Sequence, residues 1–293
     1  SFLDLYVVDW KGCNSNTLYK NQGDGTFLNT TKQVNIETSI GLPGYNPFPF
    51  DFNKDGWMDL YVTNDFREPN NLFISNNGAS FIESAIDYNA AISFNDMGIA
   101  IGDYNKDGHF DFFISTISNN SLLTGKADGK FENKATDMFV ENTGWSWGTT
   151  FGDFDLDGDE DLIVVNGFQN TAENVDSNYY FENKYETGNI SFSGENDQGI
   201  SELTESVEVV DFDYDHDGDL DLFITNASNN SFFYENTTLN QTSFENGKWF
   251  QLSLQGTISN RDGIGTKITL KTNNDTYIRY YTGIGFLGQS LKP

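Results

Sequence analysis

Four times in this chain an acidic pattern, D-x-[DN]-x-D-G-x-x-D, runs straight into an apolar stretch. The copies are DFNKDGWMDLYVTN from Asp51, DYNKDGHFDFFIST from Asp103, DFDLDGDEDLIVVN from Asp153 and DYDHDGDLDLFITN from Asp213, so successive starts lie 52, 50 and 60 residues apart. A recurring period of about this size marks a repeat architecture in which each unit buries its faces against its neighbours. The opening SFLDLYVVDW reads as the tail of a fifth copy, with Asp4 at its last acidic position.

Each copy sits inside a larger unit. Segments rich in small residues precede the acidic pattern, as in DMGIAIGDYN and GWSWGTTFGDFD. Short alternating stretches follow it: NTLYKN from Asn16, NNLFISN from Asn70, NSLLTG from Asn120, NYYFEN from Asn178 and NSFFYEN from Asn230. A turn and a further strand come next in GDGTFLN, NNGASFIE and ADGKFEN, and less clearly in YETGNISFSG and TTLNQTSFEN. Four short strands per unit of about 50 residues predict a β-propeller blade. The small residues of the first strand suit an innermost position, and the later strands carry Phe, Tyr, Leu and Ile at period two. No helical periodicity of useful length is present, so the expected fold class is all-β.

The acidic pattern has the chemistry of a loop wrapped around a cation. Like charges this dense repel and resist desolvation unless something positive lies among them. Oxygen ligands at alternate positions, closed by a Gly that turns sharply, suit Ca²⁺ better than the smaller, water-retaining Mg²⁺. The expected side-chain ligands are Asp51, Asn53, Asp55 and Asp59; Asp103, Asn105, Asp107 and Asp111; Asp153, Asp155, Asp157 and Asp161; and Asp213, Asp215, Asp217 and Asp221. The carbonyls of Trp57, His109, Asp159 and Asp219 are the expected backbone ligands, with the Asp219 side chain pointing outward. These sets use 14 of the 44 acidic residues.

Charge narrows the partners. The net charge is -28 with a pI near 4.1, which argues against nucleic acid and anionic membrane surfaces. No apolar run approaches the length needed to span a bilayer. The 45 aromatic residues (26 Phe, 14 Tyr and 5 Trp) supply a sizeable core. Cys13 is the single cysteine and is expected to be a small buried or half-buried residue. His109 and His216 fall inside acidic loops and are expected to be exposed there. GIGTKIT from Gly263 lacks the spacing of a phosphate loop. Trp145 and Trp147 alternate on an innermost strand, where they either pack or offer a stacking platform for a ligand.

The four repeats resemble the FG-GAP/VCBS family, known from integrin α-subunit propellers and bacterial surface proteins. KWFQLSLQGTISNRDGIGTKITLKTNN from Lys248, followed by YYTGIGFLGQS, resembles the ASPIC/UnbV domain, and the pairing resembles the cartilage-acidic-protein-like architecture. The resemblance implies Ca²⁺ in the acidic loops. It implies a propeller over 1–243, seven-bladed in the full protein and represented here by about four and a half blades. A partial C-terminal β-domain over 244–293 would follow. The implied function is a non-catalytic extracellular or cell-surface module for adhesion, binding a protein or glycan at a propeller face. A surface lipoprotein serving a bacterial outer-membrane transporter complex is one setting. The alternative is a calcium-dependent polysaccharide-degrading enzyme.

Overall fold

The computed structural model describes residues 2–11, 13–39, 41–167, 176–185, 191–195, 199–239, 250–257, 261–273 and 275–282. Among these residues all regular elements are strands. The first unit holds β1 (Leu5–Val7), β2 (Thr17–Asn21) and β3 (Phe27–Asn29). The second holds β4 (Gly44–Phe50), β5 (Asp59–Asn64), β6 (Asn71–Asn76) and β7 (Ser80–Glu83). The third holds β8 (Ile99–Gly102), β9 (Asp111–Ile114), β10 (Ser121–Gly125) and β11 (Phe131–Asn133). The fourth holds β12 (Ser146–Gly152), β13 (Asp161–Asn166), β14 (Tyr179–Asn183) and β15 (Phe192–Glu195), and the fifth β16 (Ser206–Phe212), β17 (Asp221–Asn226) and β18 (Phe232–Tyr234).

Each unit is an antiparallel meander paired in chain order, as propeller blades are. The fourth strand expected in TTLNQTSFEN, 237–246, falls from 240 onward outside the described residues. In blades two to five the last residue of the first strand faces the ninth residue of the acidic pattern: Phe50 with Asp59, Gly102 with Asp111, Gly152 with Asp161 and Phe212 with Asp221. The acidic stretch is therefore the connection between a blade's first two strands. Asp4 stands just before β1, which supports reading the N-terminus as a fifth copy.

The hydrophobic core is divided among the blade junctions. Tyr6, Val8 and Leu18 of the first blade meet Leu60, Val62 and Phe73 of the second. Phe48, Phe50 and Phe52 meet Phe110, Phe112 and Phe131 across the next junction. Tyr104, Phe113 and Leu122 meet Phe151, Leu162 and Phe192 at the third, and Phe154, Ile163 and Tyr180 meet Val209, Leu222 and Ile224 at the fourth. Burying such side chains contributes about 1.5–3 kcal/mol each, so each blade is stabilised mainly by its neighbours.

The innermost strands approach one another closely. A Cβ at Gly98 would collide with the Trp147 carbonyl, and one at Gly148 would come within 2.7 Å of the Glu208 Cα. Pro47 and Pro49 sit in β4, which pairs only with β5, so the missing N–H groups leave no ladder bond unmade. At the other end of the chain, β19 (Thr266–Lys271) and β20 (Thr276–Tyr281) form a hairpin that packs on the acidic side of the blades.

Candidate metal centres

The four acidic loops share one backbone. The fourth position is left-handed in every copy, at Lys54 (φ 62°), Lys106 (55°), Leu156 (60°) and His216 (62°), and the Gly at position six follows suit at 86° to 102°. A non-Gly residue pays strain in that region, so something must hold it there. The Asp at position one does part of this. Asp51 accepts the N–H groups of Asp55 and Gly56 at 3.0 and 2.9 Å, and Asp103 accepts those of Asp107 and Gly108 at 3.0 and 3.1 Å. Asp153 accepts from Gly158, and Asp213 from Asp217. The residue at position five then accepts the N–H two positions on, as Asp55 does from Trp57 and Asp107 from His109, both at 2.8 Å.

The ninth Asp is a strut between strands. One oxygen accepts an N–H from the blade's third strand or from two residues beyond its end: Ser75 to Asp59, Gly125 to Asp111, Asn183 to Asp161 and Asn236 to Asp221, at 2.7 to 2.9 Å. The other accepts the N–H of the second loop residue, from Phe52, Phe154 and Tyr214. Asp4 takes the same bond from Asn21 at 2.9 Å. The sequence pattern alone presented this Asp as a ligand; its service to the backbone shows only in the structure, at Asp4 as in the four full copies.

Two loops gather three carboxylates so that one oxygen of each lies within 4.8 Å of the others: Asp153, Asp155 and Asp157, and Asp213, Asp215 and Asp221. Among the described residues no other acidic group does so. In the third loop Asp161 lies outside the trio; besides the two backbone N–H groups whose counterparts Asp221 also accepts, it takes the Tyr180 hydroxyl at 2.8 Å. In the fourth, Asp217 lies outside the trio and accepts the Asp219 N–H. The first two loops carry Asn53 and Asn105 at position three, whose amides donate to Asp55 and Asp107 at 3.0 and 3.1 Å.

Burial raises the proton affinity of these acids. Asp59 and Asp103 are both pushed up to about 6, and Asp161 to about 8, chiefly because each is buried. Asp111 is raised well above the usual carboxylate range by burial. One oxygen of Asp111 is buried without a hydrogen-bond partner, as is one of Asp219. Acids that resist ionisation for want of counter-charge are what a bound cation relieves. The donors are oxygens throughout, which fits Ca²⁺ or another hard cation and not a soft metal. Asp153, Asp155 and Asp157 would hold it in one loop and Asp213, Asp215 and Asp221 in another.

Three expectations need correction. Asp219 does not point outward: its side chain is buried and accepts the Leu239 N–H at 3.2 Å. Asp159 does the same for Tyr185 at 2.7 Å. Each carboxylate satisfies the backbone just after the blade's third strand, which would otherwise be left unpaired. His109 is half-buried, because the third blade's β10 passes beside it at Gly125, whereas His216 is exposed. Cys13 is exposed on a turn held by Asp9, which accepts the Lys11 and Asn14 N–H groups, and its thiol reaches the Lys11 carbonyl at 3.9 Å.

Trp145 and Trp147 are half-buried with rings parallel, centroids 6.5 Å apart, and Trp147 lies 6.3 Å from the Tyr45 ring. A cleft of about 620 Å³ opens between the fourth and fifth blades, lined by Tyr180, Tyr234, Leu220 and Ile200 and by the carboxylates of Asp155, Asp157, Glu182 and Glu235.

The FG-GAP-like repeat family matches residues 1–62, 51–114 and 103–164, over half of the chain. No curated protein matches. Among 57 solved chains that do is a lectin of Agrocybe aegerita, described as recognising non-reducing terminal N-acetylglucosamine. It is 15% identical with a TM-score of 0.46; the likeness covers 80% of this chain, which spans about 63% of the lectin's length.

Proposed function

The chain belongs to the FG-GAP-like repeat family, and on that premise we propose that it is a calcium-stapled binding module of the extracellular space or cell surface, taking a protein or glycan ligand at a propeller face. The observation that carries the reading is the turn shared by the four acidic loops, each with a left-handed fourth residue and a first Asp that accepts an N–H from position five, six or both. Two of them converge three carboxylates each. Calcium would be held by Asp51, Asn53, Asp55 and Asp59 and their counterparts in the other loops. Millimolar calcium outside cells suits loop sites of modest affinity. A net charge of -28 suits a chain loaded with cations. No helix among the described residues is long and apolar enough to cross a membrane.

The family resemblance extends the proposal to a small C-terminal β-domain over 244–293 and to an accessory role beside a bacterial outer-membrane transporter. Panels of glycans and of surface proteins, screened in calcium and again in EGTA, test the module. Calcium-dependent binding without turnover is expected.

A second reading, a calcium-dependent polysaccharide-degrading enzyme, draws on the cleft between the last two blades. Glu182 and Glu235 line it without belonging to an acidic loop. Cleavage products that vanish with Glu182→Gln or Glu235→Gln would establish this reading in place of the first.

A further inference from the structure

The β19–β20 hairpin lies across the second and third acidic loops and not the fourth. Tyr277 rests on Gly158, with its ring 3.1 Å from where a Cβ would stand, and Ile278 lies 3.8 Å from the same point at Gly108. Ile278 is buried, and Tyr280 meets Phe110 edge-on at 5.8 Å. The ammonium of Lys267 donates to the Gly108 carbonyl at 3.2 Å. Arg279 pairs with Glu160 at 3.2 Å. Glu160 is buried, and its other oxygen accepts the Asp103 N–H at 2.7 Å, so one carboxylate ties the hairpin to both loops. Lys106, at the left-handed position of the second loop, lies over the Tyr277 ring at 5.5 Å.

These contacts leave the expected ligand oxygens alone. Lys267 uses the sixth carbonyl, not the seventh, and Arg279 uses the eighth side chain. The glycine faces that Tyr277 and Ile278 cover exist only while the loops are wrapped. The hydrogen bonds, ion pair and ring contacts described for the hairpin fall on the second and third loops; the first loop comes near it at Met58, beside Gly265, and at Lys54, whose charge faces Lys267.

We propose that the hairpin is a clasp that retains the ions of the second and third loops, with Arg279, Lys267, Tyr277 and Ile278 as positioning residues, so that the four metal sites fall into two kinetic classes. The clasp rests on the calcium reading. An ion leaving either covered loop must unwrap a surface on which the hairpin sits. An ion leaving the first or fourth loop need not.

Stopped-flow release of Ca²⁺ into a chromophoric chelator tests this on the whole chain. Two phases of similar amplitude are expected. Asp107→Ala should remove slow amplitude and Asp217→Ala fast amplitude. Arg279→Gln should speed the slow phase roughly tenfold, the scale of losing one part-buried ion pair, and leave the fast phase unchanged. Ile278→Ala should act in the same direction, with circular dichroism confirming that both variants fold. A single phase, or a slow phase indifferent to both hairpin variants, overturns the clasp while calcium binding stands. A chain that binds no calcium overturns the calcium reading and the clasp together.

Discussion

The loops at Asp153–Asp161 and Asp213–Asp221 follow the same pattern and have the same turn, yet they live in different surroundings. Each has a left-handed fourth residue, an inward-turned Asp at position seven and a ninth Asp braced on two backbone N–H groups. The second residue separates them. Phe154 is 6% exposed and packs among Tyr180, Leu220 and Leu222, whereas Tyr214 is 44% exposed and meets chiefly Phe233 of its own blade. The eighth residue separates them again: Glu160 joins a network to the hairpin, while Leu220 is a packing residue. The pattern thus dictates the local turn, and the neighbouring blade decides how much that turn is worth to the fold.

The sharpest break of this comparison is a pair of truncations. Phe154→Ala should destabilise the chain by about 3–5 kcal/mol, as large-to-small changes in a packed junction do. Tyr214→Ala should lose under about 1 kcal/mol. Equal losses in urea unfolding would show that the fifth blade is covered as the fourth is. Next come the struts. Asp161→Ala strands two backbone N–H groups and the Tyr180 hydroxyl, for a loss of about 2–4 kcal/mol. Asp221→Ala strands two N–H groups in a half-buried setting and should lose less.

The smallest effect is in pH. Asp161 is raised to about 8 from its ordinary 3.8. A raised folded-state value means that its contribution is full below about pH 4 and is lost as pH climbs through about 8. In chelator the melting temperature should therefore fall by several degrees between pH 5 and pH 8.5, at about 2–4 °C per kcal/mol. Calcium should flatten or reverse that slope by taking the proton's place. A chelated protein whose melting temperature rises over the same range would contradict the burial argument.

Much of this was legible in the sequence, because the repeat ties local chemistry to position. The strands following Asn16, Asn70, Asn120 and Asn178 lie where their alternation puts them. The loops turn where Gly56, Gly108, Gly158 and Gly218 allow. Contacts that depend on distant partners were not legible. Asp219 turns inward because Leu239 needs an acceptor. Lys267 reaches Gly108 across 159 residues, and nothing in GIGTKIT announces it. The left-handed φ at Lys54, Lys106, Leu156 and His216 was equally hidden, because four unlike side chains occupy one backbone state.

The central claim is that calcium holds the acidic loops closed, and melting the chain with and without the ion tests it most directly. Binding at a hundredfold excess over Kd adds about 2.7 kcal/mol per site, a large part of the ~5–15 kcal/mol net stability of a domain. EGTA should lower the melting temperature markedly, added Ca²⁺ should restore it better than Mg²⁺, and Asp157→Ala should reproduce part of the loss. A melting curve unchanged by chelator, from protein in which no metal is detected, would contradict the account.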